Sequence, residues 1–330
     1  MTSAGTPQTI TLAKALNQGL RAAMEGDPKV IVMGEDVGRL GGVFRITDGL
    51  QKDFGEQRVL DTPLGESGII GTAIGLAVRG YRPVCEIQFD GFVFPGFDQI
   101  VSQLAKLHYR SQGKLRMPVV IRIPHGGGIG AVEHHSESPE SYFAHTPGLK
   151  VVACSNPVDA YWMIQHAIAC DDPVIFFEPK RRYWDKGPLD LAEPPSPLFR
   201  SRVLRAGTTA TVVTYGPMVR TVLDAATVAE QDGHPLEVID LRTLSPLDLA
   251  PVFASVRRTG RLICVSEAPG EASVTSEVAA RVSQECFYSL EAPVLRLTGF
   301  DTPYPPAKCE EGYLPDMDRV LDAVDRVLAY

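Results

Sequence analysis

Two α/β domains in series, each with a mostly parallel sheet flanked by helices, are predicted by three observations. Short apolar runs suited to strands alternate with segments of helical period along nearly the whole chain. Those runs lack strict alternation, as expected for strands buried on both faces of a parallel sheet. A segment with four prolines in thirteen residues and no period, 187–199, interrupts the pattern. We therefore read residues 1–186 as one unit, 187–200 as a Pro-rich linker and 201–330 as the second unit.

The first unit opens with helical period over 10–25, where Thr11 is a plausible cap. A strand over 30–37 ends in Gly34, Glu35 and Asp36, and a loop with a short helix spans 41–55. The stretch 58–94 organises the rest. It starts as a strand (Val59, Leu60), turns at Asp61-Thr62-Pro63 and enters an apolar helix at about Glu66. That helix, to about Arg79, carries Gly68, Gly71, Ala73, Gly75 and Ala77, so its backbone can lie close to a neighbour. A strand follows over 82–89, a helix over 95–112, strands over 118–124 and 150–155, a helix over 157–170 and a strand over 173–179. The second unit repeats the alternation, with strands over 210–216, 236–241, 261–267 and 293–298. Helices over 218–232, 247–258, 273–289 and 316–329 complete it.

The chain has 330 residues, 44% hydrophobic and 22% charged, with a net charge of −8. This acidic balance argues against nucleic-acid binding, which calls for a basic face. No apolar run approaches the ~20 residues needed to span a membrane, and the start, MTSAGTPQ, lacks the features of a secretory signal. Six scattered cysteines without a C-x-x-C pair read as reduced thiols, mostly buried, in a cytoplasmic protein.

Chemistry has three candidate places. Glu66 begins a helix, where its dipole favours an acid, and Glu35 lies at a strand exit, where open α/β sheets place ligands. Phe92, in the aromatic run 88–94, offers a ring to a planar ligand, although core packing accounts for most single Phe residues. The loop 125–148 holds four of the seven histidines. Its glycine run matches neither a dinucleotide fingerprint nor a P-loop. Glu133, His134, His135 and Glu137 match no zinc spacing, and adjacent residues of an extended segment point to opposite faces, so no metal site is expected. An acid/base loop is the better reading. The basic segment KRRYWDK (180–186) reads as a solvated loop or subunit contact.

Together these residues resemble the β subunits of thiamine-diphosphate-dependent 2-oxo acid dehydrogenase components. The likeness runs nearly end to end, through MGEDVG (33–38), GGVFRIT (41–47), DTPLGESGIIG (61–71), PVCEIQFDGF (83–92), FDQIVSQLAK (97–106), HHSESPESYFAHTPGLKVV (134–152), DPVIFFEPK (172–180), LEVIDLRTL (236–244) and GFDTPYPPA (299–307). The wording of 86–101 and 134–152 is closer to branched-chain than to pyruvate types. The resemblance implies a transketolase-type pyrimidine-binding domain followed by a transketolase C-terminal domain.

It also implies roles. Glu66 matches the glutamate that hydrogen-bonds the aminopyrimidine ring nitrogen and promotes its imino tautomer. Phe92 matches the aromatic against the pyrimidine, and Glu35, Leu64 and Gln88 match other cofactor-facing positions. His135 matches the histidine that assists reductive acylation of the lipoyl group. Two departures stand out. Glu137 replaces the usual glutamine two residues after that histidine, and Cys170 occupies the place of an aspartate that helps bind a structural potassium. A magnesium–diphosphate motif is missing. The resemblance therefore implies half a site, with magnesium and diphosphate ligands on a separate α subunit, in an α2β2 heterotetramer. The acids Asp301, Glu310, Glu311, Asp316, Asp318, Asp322 and Asp325 suggest a surface for the basic subunit-binding domain of the lipoyl acyltransferase core. The expected function is oxidative decarboxylation of branched-chain 2-oxo acids. A pyruvate-specific subunit, a non-catalytic assembly subunit and a metallohydrolase built on the histidine loop are the alternatives.

Overall fold

The computed structural model describes residues 8–192 and 195–330. The expected N-terminal signal-free stretch, up to residue 7, and two residues of the Pro-rich segment lie outside them. In chain order the regular elements are β1 (Gln8–Thr11), α1 (Leu12–Gly26), β2 (Val30–Gly34), α2 (Leu50–Phe54), β3 (Val59–Asp61), α3 (Glu66–Val78), β4 (Arg82–Glu86), α4 (Ala105–Arg110), β5 (Val120–His125), α5 (Glu140–Ala144), β6 (Lys150–Ala153), α6 (Pro157–Ala169), β7 (Val174–Pro179) and β8 (Lys186–Leu189). After the Pro-rich segment come β9 (Arg202–Arg205), β10 (Ala210–Thr214), α7 (Met218–Gln231), β11 (Leu236–Asp240), β12 (Thr243–Ser245), α8 (Ala250–Thr259), β13 (Leu262–Pro269), α9 (Val274–Glu285), β14 (Leu295–Gly299), α10 (Glu310–Tyr313) and α11 (Met317–Leu328).

The strands form a seven-stranded sheet, β12-β6-β7-β5-β4-β2-β3, and a five-stranded sheet, β14-β13-β10-β11-β9. Both are parallel except at one edge, where β12 and β9 run antiparallel. Thus β12, from the C-terminal half, completes the N-terminal sheet. One apolar cluster likewise runs from Ile69 and Ile121 through Phe143 and Phe177 to Tyr215, Ile239 and Val278, across both halves. The continuous apolar runs β2, β5 and β7 are wholly buried, the parallel-sheet signature read from the sequence.

Three segments differ from expectation. Lys186–Leu189, taken as the start of a linker, is a strand paired with Gln8–Thr11, so the chain's first strand has a partner that periodicity does not reveal. The helix expected over 95–112 begins as a 3-10 turn holding Pro95 and passes through a π-helical stretch, Gln99–Leu104, before α4. Helix α3 is buried on one side only, at Glu66, Ile69, Ile70, Ala73 and Ala77, and its Gly68 and Gly75 face open space. Thr11 caps α1 as predicted, accepting from the Lys14 N–H at 3.2 Å. Gly19 lets α1 close on α6, because a Cβ there would lie 2.5 Å from Ile164 Cγ2.

At the carboxyl ends of the central strands sits a fully buried arginine. Arg122 on β5 donates from Nη1 to Glu86 Oε2 on β4 at 2.6 Å. It also donates from Nε and Nη2 to Glu178 on β7, at 2.6 and 2.9 Å. The Tyr183 hydroxyl completes the cluster with a 2.6 Å bond to Glu178 Oε2. The guanidinium fork joins three adjacent strands at the end where ligands bind.

Arg122→Met leaves Glu86 and Glu178 buried without their cation, so it is expected to cost about 3–5 kcal/mol in urea unfolding. Removing the exposed Arg220–Asp224 pair with Arg220→Ala should cost less than about 1 kcal/mol. Equal small losses would contradict the role given to the fork.

Candidate active site

Three strand exits deliver the candidate residues. Beyond β4 the chain carries Gln88, Phe89 and a 3-10 turn, Asp90–Gly96, with Phe92 at its start. Beyond β5 it enters the glycine loop and a 3-10 turn, Glu133–His135. Beyond β7 come Lys180 and its neighbours. Beside them, β2 ends next to Glu35, and Leu64-Gly65 leads into α3 at Glu66.

Glu66 is buried in the first turn of α3, and the Phe92 turn lies against it. A Cβ on Gly96 would sit 3.3–3.4 Å from Glu66 atoms, and the Ser67 hydroxyl donates to the Pro95 carbonyl. The Gly65 N–H reaches Glu35 Oε1 at 3.3 Å. Burial first, then the negative charge of Glu66, raises the Glu35 carboxyl above its ordinary pKa, while that N–H pulls it back. The Gln88 amide points at the Glu35 carbonyl and Asp36 carboxylate over 3.5 and 3.4 Å, long for hydrogen bonds. Leu64 projects into solvent, 85% exposed.

Phe92 and His135 come together. Their rings meet edge to face with centroids 5.0 Å apart, and Phe89 lies 4.1 Å from His135 on another side. Gly91 makes room for the histidine turn, since a Cβ there would be 2.3 Å from the His134 carbonyl oxygen. Burial lowers the His135 pKa, with the neighbouring His134 adding to it. The charges acting on Glu137, the acid in the usual glutamine position, are those of Glu133, His134 and Lys180. At the other departure, the Ile168 and Cys170 carbonyls accept from Arg82 Nη1 at 3.0 and 3.1 Å, and Arg82 also pairs with Asp171 at 2.8 Å.

The segment 180–186 is not the solvated loop expected from its charge. Lys180 and Tyr183 are buried, and Lys180 Nζ donates to the equally buried Asp90. Asp90 uses its other oxygen to accept the Glu137 N–H at 2.7 Å. This pair therefore braces the turn beside Phe92 against the segment carrying His135. Burial pushes the Asp90 carboxyl up to about 6 despite its cation. An acid and a base after the two strands that flank β5 were the available signal; a run of three cations in sequence obscured it.

The C-terminal acids divide. Asp301, Glu311, Asp316, Asp318, Asp322 and Asp325 are exposed, but Glu310 is buried and bonded to the glycine loop, so it is no part of an acidic surface. Asp316 caps α11, and Asp301 accepts the Glu271 N–H.

A cleft of about 630 Å³ opens between the halves, lined by Phe97, Tyr142, Glu267, Tyr304 and Tyr313 among others. It adjoins the histidine turn through Ser136 and Glu137 but takes in none of Glu35, Leu64, Glu66, Gln88, Phe92 or His135. Behind it the halves meet at a buried polar contact. Glu140 Oε1 accepts from the Tyr215 hydroxyl at 2.7 Å, and His125 Nδ1 lies 3.9 Å from Glu140 Oε2. Burial drives Glu140 up to about 7 and His125 down to about 3.

The fold is that of a transketolase-type protein. Residues 8–185 match the transketolase pyrimidine binding domain and residues 200–320 the transketolase C-terminal domain. A solved split-gene transketolase, described as an inactive β4 tetramer, superposes with a TM-score of 0.77 at 20% identity. It covers 97% of this chain and 98% of its own, a likeness of fold. The "pyruvate dehydrogenase E1 component subunit beta" of Leifsonia xyli is 65% identical over 98% of this chain and 96% of its own length. The "3-methyl-2-oxobutanoate dehydrogenase subunit beta" of Mycobacterium tuberculosis is 56% identical over 97% and 92%. The chain belongs to the family of 2-oxo acid dehydrogenase E1 β subunits. Among the described residues no helix is long and apolar enough to cross a membrane.

Folded Glu140 holds its proton up to about pH 7, whereas the unfolded carboxyl releases it near 4.5. Its contribution to stability is therefore full at low pH and lost as pH rises through about 7. In Glu140→Gln that loss disappears, so melting curves recorded from about pH 5 to about pH 8 should show a smaller decline for the variant. Parallel declines would contradict the assignment.

Proposed function

We propose that this chain supplies the pyrimidine-facing half of a thiamine diphosphate site and, with an α subunit, decarboxylates 2-oxo acids and acylates a lipoyl group. The observation that carries the reading is the pairing of Glu66 and Glu35 beside the Phe92 turn. A carboxylate, an aromatic ring and the exposed Leu64 side chain suit an aminopyrimidine. Two carboxylates whose charges act on one another repel a diphosphate, so the anionic end and its magnesium call for ligands from another chain. An α2β2 heterotetramer is the simplest closed assembly that shares such sites.

When bound, thiamine diphosphate supplies the nucleophilic carbon and the electron sink for loss of carbon dioxide. Glu66 hydrogen-bonds the ring nitrogen through its carboxyl group, which promotes the imino tautomer. Glu35 lies beside Glu66, and burial together with the Glu66 charge raises its pKa. Phe92 orients the ring and excludes water, and Gln88 lies beside the Glu35 turn. His135, wedged between Phe89 and Phe92, exchanges a proton at its imidazole with the lipoyl sulfur. The exposed acids of the C-terminal region, without Glu310, suit a basic domain of the acyltransferase core.

Branched-chain 2-oxo acids are the proposed substrates, on the wording of 86–101 and 134–152. Pyruvate is the second reading, favoured by the name of the Leifsonia relative.

With its α partner, Glu66→Gln should lose roughly a hundredfold in decarboxylation or more; undiminished turnover would favour an assembly role. The kcat/KM for 3-methyl-2-oxobutanoate should exceed that for pyruvate, and the reverse order selects the pyruvate reading.

A further inference from the structure

The glycine run before the histidine turn has a partner in the other half of the molecule. Glu310 Oε1 accepts the Gly128 N–H at 2.7 Å and Glu310 Oε2 the Gly130 N–H at 3.0 Å. The Tyr304 hydroxyl donates to Glu310 Oε1 at 2.6 Å. One residue earlier, the Gly127 N–H reaches Glu267 Oε1 at 3.0 Å, and Arg181 Nη2 stands 2.8 Å from Glu267 Oε2. Two carboxylates of the C-terminal half thus take three amides of one short loop. A carboxylate bonded to amides in this way is among the stronger neutral-to-charged contacts.

Only glycine allows this approach. Gly126, Gly128 and Gly130 have φ of +84°, +85° and +69°. A Cβ on Gly127 would lie 1.9 Å from the Tyr304 hydroxyl oxygen, and one on Gly126 would lie 2.0 Å from Glu267 Oε1.

The gripped arm and the His135 arm belong to one closed loop. The Gly126 N–H donates to the Glu137 carbonyl at 2.8 Å, joining the two ends. Asp90 fixes the far end through the Glu137 N–H. Between these anchors Ile129, Val132, Glu133 and His134 are exposed, so the anchors set the path of the turn that presents His135.

We infer that Glu310, assisted by Tyr304 and Glu267, is a positioning residue for His135: the C-terminal domain holds the glycine arm so that the imidazole stays seated between Phe89 and Phe92. The inference rests on the lipoyl role proposed for His135. It makes the placement of a pyrimidine-domain group depend on the C-terminal domain, without contact between Glu310 and the reacting atoms.

The test uses the α-partnered protein with Glu310→Ala, Glu310→Gln and Tyr304→Phe. Hydrogen exchange at 126–135 should accelerate roughly tenfold or more in Glu310→Ala and less in the other two. Acylation of a free lipoyl domain should fall roughly tenfold in Glu310→Ala, while decarboxylation coupled to hexacyanoferrate(III) stays within about twofold. Partial recovery in Glu310→Gln, which keeps one acceptor oxygen, supports the inference. Unchanged loop exchange, or equal losses in the two reactions, overturns it. His135→Ala serves as the control: if it spares lipoyl acylation, the role given to His135 falls, whereas the exchange data still decide whether Glu310 holds the loop.

Discussion

The aromatic and histidine side of the candidate site hangs from the buried Arg122 fork, while Glu35 and Glu66 come from the end of β2 and the start of α3. The Arg122 guanidinium bonds Glu86 and Glu178, so β4, β5 and β7 are locked in register at their carboxyl ends. Each strand then releases one part of the site within a few residues. From β4 come Gln88, Asp90 and Phe92; from β5, the glycine loop and His135; from β7, Lys180. The buried charges are tolerable because each carboxylate meets a donor, and breaking the set would leave a charge with no solvent to stabilise it. The tight packing of Gly42 against Glu86, where a Cβ would lie 2.7 Å from the carboxylate, ties the loop after β2 to the same cluster.

Much of the architecture was legible because period and apolarity act locally. The runs around Val32, Ile121 and Ile175 read as buried strands, and the apolar run after Glu66 marked a helix, although its Gly68 and Gly75 face open space rather than a close neighbour. What escaped the sequence depends on distant partners. The short strand Lys186–Leu189 has little character alone and is made a strand by Gln8–Thr11. Ser245 and its neighbours cross from one half to the other sheet, which no local pattern encodes. Gln99–Leu104 was read as ordinary helix because no residue type in it distinguishes π-helical from α-helical backbone.

The site was legible in part. Glu35 and Glu66 stand at predicted strand and helix ends, and Phe92 and His135 were each singled out on separate grounds. Their meeting, with centroids 5.0 Å apart, follows from β4 and β5 being neighbours and was not readable from spacing. Lys180 was obscured by Arg181 and Arg182, since three cations in a row suggest solvent. Glu310 was counted among surface acids for the same reason. The glycine run after His125 matched no phosphate-binding pattern, and its amides serve Glu267 and Glu310 instead. In each case a charge was misplaced because its counter-charge or donor lies far along the chain.

The central claim is that the chain holds a cofactor's heterocycle but not its anionic tail. Its most direct test is calorimetric titration of thiamine diphosphate with magnesium into this chain alone, into an α subunit alone and into the assembled pair. The account predicts tight binding, close to one cofactor per αβ unit, for the pair and none of comparable strength for this chain by itself. Equally tight, saturable binding to the isolated chain would contradict it.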